Sequence, residues 1–232
     1  MPRTRGGIRH DIDRIRGEAF RLIRSQLLVA LEELHNPTVV ITSSLAGEGK
    51  TSTCAGLAVS LARAGRRVVA VDVDLRHPNL HRRFDAQNDV GLSDVLHDRV
   101  ELDEALQYVE IDPDRGFYFL AAGTTASDPA ELLGTARTAK LLDVLSRQAD
   151  VVLLDTPPVL PVADTLVIGR MAAGAVLVVE SRSTPVPTVE QAKSALTRNQ
   201  TRLLGVVLNK VQPRDQSIEI GYGAERADDG RP

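Results

Sequence analysis

The sequence predicts an α/β fold, a doubly wound and mostly parallel sheet flanked by helices. Short apolar runs recur along the chain, each ending in a polar or glycine-rich turn. Their hydrophobicity is continuous rather than alternating, as in strands covered on both faces. Helix-like stretches lie between them, and strand–helix alternation is how a parallel sheet is wound.

Taken in order, residues 1–10 are polar, rich in Gly and Arg, and read as mobile. From about Asp11 to Leu34, the positions Ile12, Ile15, Phe20, Ile23, Leu27, Leu31 and Leu34 recur at roughly helical spacing, and Asn36-Pro37 stops that helix. Strands are expected at Thr38–Thr42, Arg67–Val73, Phe117–Ala121, Val151–Asp155, Ala175–Val179 and Leu203–Leu208. A helix is expected over Thr51–Ala64, closed by Gly65. Asp128-Pro129-Ala130-Glu131 reads as a capping box with Pro at the first helical position, opening a helix to about Gln148. A further helix covers about Thr188 to Asn199, and after Pro213 the chain reads as a flexible tail. The expected organisation is a basic helical segment at 1–36, a core at 37–213 and a tail at 214–232.

Hydrophobic residues at 43% and charged residues at 25% make an ordinary globular balance, enough for one well-packed domain. A net charge of −3 gives no global case for nucleic acid or a membrane surface. Arginine is concentrated at one end, at positions 3, 5, 9, 14, 16, 21 and 24. That segment reads either as a solvated basic helix or as a contact for a partner or anionic lipid. Cys54 is the only cysteine, which fits a reducing compartment, and it reads as a small core residue. No apolar run approaches the roughly 18 residues needed to span a bilayer, and the N-terminus lacks the apolar core of a secretory signal. A cytoplasmic protein is expected, peripheral at the cell membrane only through a partner.

The strongest chemical signal is Ser43-Ser44-Leu45-Ala46-Gly47-Glu48-Gly49-Lys50-Thr51-Ser52, a phosphate loop between an apolar strand and a helix. Gly47 and Gly49 let the backbone turn its N–H groups toward phosphate oxygens, and the helix points its N-terminus at the same anion. The expected nucleotide-binding residues are Ala46, Gly47, Glu48, Gly49, Lys50, Thr51 and Ser52. Lys50 supplies positive charge to the β- and γ-phosphates, and the Thr51 hydroxyl ligates Mg²⁺. Ser44 stands where the general pattern has Gly.

Two strands end in acid. One leads into Asp72-Val73-Asp74-Leu75-Arg76, the other into Asp155-Thr156-Pro157-Pro158. Carboxyl ends of parallel strands line the ligand crevice, so these carboxylates should face the phosphate loop. Mg²⁺ takes oxygen ligands and keeps several waters, so Thr51, Asp74 and Asp155 form the expected metal site.

At these residues the sequence resembles the bacterial tyrosine kinases that regulate polysaccharide export, within the P-loop ATPases of SIMIBI type that also place division sites and partition plasmids. Gly47–Thr51 matches the family's phosphate loop, Asp72, Asp74, Arg76 and Pro78 its second motif, and Val151–Pro158 its third. Glu18, Arg21 and Arg24 resemble its subunit-contact motif, and Asn209 in Leu208-Asn209-Lys210 its adenine contact. The partition ATPases carry an extra lysine at the place of Leu45, which argues against that branch and against DNA as a ligand.

The resemblance implies a protein-tyrosine kinase using ATP and Mg²⁺. Lys50, Asp72, Asp74 and Asp155 would be its catalytic residues, with Asp72 accepting the tyrosine proton. It implies autophosphorylation of a C-terminal tail between subunits of a homo-oligomeric ring, here at Tyr222. Tyr108 and Tyr118 read as packing residues. A membrane-embedded polysaccharide co-polymerase is the implied activator and a cognate tyrosine phosphatase a further partner. An activator on a separate chain and an excised domain both fit this sequence. The alternative reading is a non-kinase ATP switch that controls assembly with a membrane partner.

Overall fold

The structure is a computed structural model and describes residues 3–4, 17–32, 34, 37–124 and 127–211. The strands are β1 (Arg3–Thr4), β2 (Thr38–Ser43), β3 (Val68–Asp72), β4 (Leu106–Asp112), β5 (Arg115–Leu120), β6 (Val151–Asp155), β7 (Gly174–Glu180) and β8 (Leu203–Asn209). Three of the helices are α1 (Gly17–Glu32), α2 (Lys50–Arg63) and α7 (Ala136–Gln148). The others are α3 (Leu80–Arg83), α4 (Leu92–Leu96), α5 (Leu102–Ala105), α6 (Pro129–Leu133), α8 (Asp164–Gly169) and α9 (Val186–Arg198).

One sheet runs in the order β1-β4-β5-β3-β6-β2-β7-β8. All its neighbours pair in parallel except β4 and β5. Strands β2, β3 and β6 are buried at every residue, as their unbroken apolar runs require. Successive side chains go to opposite faces. Val39 and Ile41 join a core with α1 and α2, while Val40 joins a second core with α7, α8 and α9. Each fully buried leucine of these cores, such as Leu57 or Leu154, contributes about 1.5–3 kcal/mol.

Strand register builds the site. β3, β6 and β2 are neighbours, and Asp72 on β3 is the direct partner of Asp155 on β6. Ile41 of β2, two residues before Ser43, is paired with the same Asp155. The two acidic strand ends and the start of the phosphate loop therefore converge at one end of the sheet.

The structure corrects several expectations. The long helix from Asp128 to Gln148 is two helices. Gly134 ends α6, and the Thr135 hydroxyl accepts the Thr138 amide to start α7. β4 was not anticipated. It pairs antiparallel with β5 and is only partly buried, so its apolar pattern is mixed. Arg3–Thr4, within a segment expected to be mobile, pairs with Tyr108–Val109 of β4. Tyr108 and Tyr118 pack edge to face at 5.4 Å, as expected of packing residues.

Candidate active site

The phosphate loop joins β2 to α2 and turns through left-handed backbone at Gly47 (φ 87°) and Gly49 (φ 100°), a region that glycine enters without steric cost. Gly49 is also the N-cap of α2, and no side chain caps it. The first amides of α2 thus remain available to an anion, favoured there by the helix dipole. A Cβ at position 49 would collide with the Asn209 side-chain amide, which gives this glycine a second reason.

Lys50 stands among the acids. Its Nζ lies 2.9 Å from Asp74 Oδ2, 3.9 Å from Asp155 Oδ1 and 3.3 Å from Thr51 Oγ1. Burial pulls the Lys50 pKa down, but the charges of Asp155 and Asp74 outweigh it and hold the ammonium above its ordinary value. Asp74 also accepts the His77 amide at 3.0 Å, which fixes the carboxylate toward the loop.

Asp72 is committed to backbone. It accepts the amides of Asn79 at 3.1 Å, Leu80 at 2.9 Å and Asp74 at 3.2 Å, and so shapes the turn after β3. Burial first, and the neighbouring Asp155 charge second, push its carboxyl up to about 8. Burial likewise pushes Asp155 up to about 6, against the pull of the Lys50 charge. Both oxygens of Asp155 are buried and lack a hydrogen-bond partner, and the hydroxyl of Ser44 shares that condition. Buried polar atoms are nearly always satisfied, so this oxygen-rich corner fits a hard cation that takes carboxylate, hydroxyl and water. The residues present therefore fit magnesium and a polyphosphate.

Of the sequence-derived set, Lys50, Thr51, Asp72, Asp74 and Asp155 meet at the strand ends. Ala46 and Gly47 form the exposed rim of the loop, and Ser52 lies in the first turn of α2. Glu48 is buried. Asn209 Nδ2 donates to the Glu48 carbonyl at 2.9 Å, from the end of β8. Glu18 and Arg21 form an exposed ion pair at 2.7 Å. Arg24 turns instead onto α2, where it donates to the Ser60 carbonyl at 2.9 Å. Tyr222 lies outside the described residues.

From the sequence, Asp164 is only a candidate anchor for the loop that follows the third motif, with no firm role. It is fully buried, opens α8 and receives both arms of Arg76, at 2.8 and 3.0 Å. The pair ties the turn after β3 to the segment following β6. No local signal marks it, because the partners are 88 residues apart.

The family model of the CobQ/CobB/MinD/ParA nucleotide binding domain matches residues 39–231. The chain is 36% identical to tyrosine-protein kinase YwqD of Bacillus subtilis, over 90% of its own length and 86% of that kinase.

The chain belongs to the bacterial tyrosine-protein kinase family.

Some members are longer. The kinase domain described here spans only 28% of tyrosine-protein kinase wzc of Salmonella typhimurium, at 31% identity over 88% of this chain. Among solved structures, it resembles the kinase domain of the Escherichia coli tyrosine kinase ETK with a TM-score of 0.81 and 31% identity. That match covers 89% of this chain and 80% of the other. This is a nucleotide-binding P-loop domain with the kinase fold. Among its described residues, no helix is long and apolar enough to cross a membrane.

Proposed function

We propose that this chain transfers the γ-phosphoryl group of ATP to tyrosine, on the tail of a neighbouring copy, and so regulates export of a capsular or extracellular polysaccharide. The observation that carries the reading is the buried cluster of Lys50, Asp74 and Asp155 around a capless helix N-terminus. The relatives' names as tyrosine-protein kinases support the same reaction class.

Phosphoryl transfer depends on positioning and charge neutralisation more than on covalent work by the protein. Lys50 and the amides of residues 46–51 would hold the β- and γ-phosphates. Thr51, Asp74 and Asp155 would hold magnesium, which would supply positive charge to neutralise the phosphates. As Lys50 turns to the phosphates, its ion pair with Asp74 opens and the carboxylate is released. Asp72, which is buried and accepts three backbone amides, would take the phenolic proton only once the turn after β3 frees one of its oxygens. A free phenol has a pKa near about 10, so a carboxyl lifted toward neutrality is better matched to it than an ordinary one.

The proposed acceptor is Tyr222, flanked by Gly221 and Gly223. Glu18, Arg21 and Arg24 would help assemble the ring that presents one tail to the next site, although Arg24 also holds α1 on α2. The family resemblance would put Asn209 at the adenine, whereas its donation to the Glu48 carbonyl favours a role at the loop itself. A membrane-embedded co-polymerase would activate the kinase and hold it at the cell membrane, with a cognate phosphatase as a further partner. In domain terms, 1–36 would serve assembly, 37–213 catalysis and 214–232 acceptance.

Incubating the full chain with Mg-ATP and mapping phosphotyrosine by mass spectrometry tests this. Phosphate on Tyr222 is expected, lost in Lys50→Met and in Tyr222→Phe. A fully ATP-binding chain that carries no phosphotyrosine, even with its co-polymerase present, would point to the switch instead.

A further inference from the structure

Two carbonyl oxygens of the phosphate loop are held from behind. Lys210 Nζ donates to the Gly47 carbonyl at 2.8 Å, and Asn209 Nδ2 donates to the Glu48 carbonyl at 2.9 Å. Both donors sit where β8 ends, at the edge of the sheet. In a trans peptide the C=O and the N–H of the next residue point in opposite directions. Holding the Gly47 carbonyl therefore sets the Glu48 amide, and holding the Glu48 carbonyl sets the Gly49 amide.

The donors are themselves braced. Lys210 Nζ pairs with Glu180 Oε2 at 2.8 Å, at the end of β7. The backbone at Lys210 is left-handed (φ 56°), a conformation that a side-chain-bearing residue adopts at a cost and that tends to mark functional positions. A third tie completes the clasp. The buried Glu48 carboxylate accepts the Leu45 amide at 2.7 Å and the Thr184 hydroxyl beyond β7. The loop is thus fastened to the ends of β7 and of the edge strand β8 by side chains that lie behind it.

We propose that Asn209 and Lys210 are positioning residues for the phosphate loop, with Glu180 as their brace. By holding the carbonyls of Gly47 and Glu48 outward they turn the next two amides into the loop, and so set the affinity for the polyphosphate whatever base it carries. The proposal rests on the nucleotide-binding reading above and extends it. An adenine contact by Asn209 predicts something different, because it acts on the base alone.

The test is calorimetric titration of the full chain with Mg-ATP and, separately, with magnesium tripolyphosphate, which has no base. Asn209→Leu and Lys210→Met should weaken both ligands by the same factor, at least about tenfold, and Lys210→Arg should recover most of the loss. Glu180→Gln separates positioning from simple charge. Removing an acid near the site would tighten an anion through the field alone, whereas loss of the brace should weaken both ligands roughly fivefold. This variant keeps every loop contact except the brace, so it remains informative if a bolder change unfolds the chain. Weaker ATP with unchanged tripolyphosphate would assign Asn209 to the base and overturn the proposal. Unchanged affinities, or tighter binding by Glu180→Gln, would overturn it too. A wild-type chain that bound neither ligand would instead remove the nucleotide reading on which it stands.

Discussion

Asp155 is held at a cost in the ligand-free protein, since its oxygens are buried beside two other carboxylates and the Lys50 ammonium, 3.9 Å away, the Thr51 hydroxyl and the Arg83 charge offset that burial only in part. Asp155→Asn should therefore stabilise the ligand-free chain by about 1–3 kcal/mol in denaturant unfolding, while abolishing the stabilisation that Mg-ATP confers. A variant less stable than wild type would mean that the carboxylate is satisfied in a way the structure does not show. The same burial sets the pH dependence. Asp155 and Asp72 are pushed up to about 6 and about 8, so the folded chain binds their protons more tightly than the unfolded chain does. The penalty is absent below the ordinary carboxylate range near about 4 and grows as pH rises through both values. The lowered pKa of His81 adds a contribution of opposite sign in this window, so the test is the difference between two chains: the stability of wild type relative to Asp155→Asn should fall as pH rises from about 4 through about 6. A difference that is flat or rises across that window would contradict the assignment.

At the scale of elements, α1 lies on α2 through Phe20, which occupies the space that a side chain at Gly56 would need. Helix propensity alone says that Gly56→Ala should gain about 1 kcal/mol. Overlap with the Phe20 ring should cost about 1–3 kcal/mol, so net destabilisation is expected in thermal unfolding, relieved by Phe20→Leu in the same chain. Much at this scale was legible in the sequence. β2, β3 and β6 are covered on both faces, so their apolar runs are unbroken and announce them, together with the phosphate loop and the acids at their ends. β4 was not legible, because a partly exposed strand that ends in Glu110, Ile111 and Asp112 has neither a clean run nor a clean alternation. The break between α6 and α7 was hidden by one continuous apolar spacing, with the cap at Thr135 visible only in three dimensions. The Arg76–Asp164 tie and the clasp around Glu48 join residues far apart in the chain, which no local pattern encodes.

At the scale of the whole molecule, assembly and stability should separate. The Glu18–Arg21 pair leaves its side chains 74% and 65% exposed, so as a salt bridge it is worth little to folding, at most about 0.5 kcal/mol. If these residues serve a subunit contact, Arg21→Ala should shift the chain toward monomer in analytical ultracentrifugation while leaving its unfolding midpoint nearly unchanged. Equal loss of both would mark α1 as a purely internal element. Assembly, phosphotransfer and the clasp behind the loop all depend on one capacity, the binding of a magnesium–triphosphate at the junction of β2, β3 and β6. Calorimetric titration of the full chain with ATP, with and without magnesium, measures that capacity most directly. The account predicts one site per chain, with affinity that rises on adding magnesium and is lost in Lys50→Met. Binding that is indifferent to magnesium, or that survives without Lys50, would contradict it.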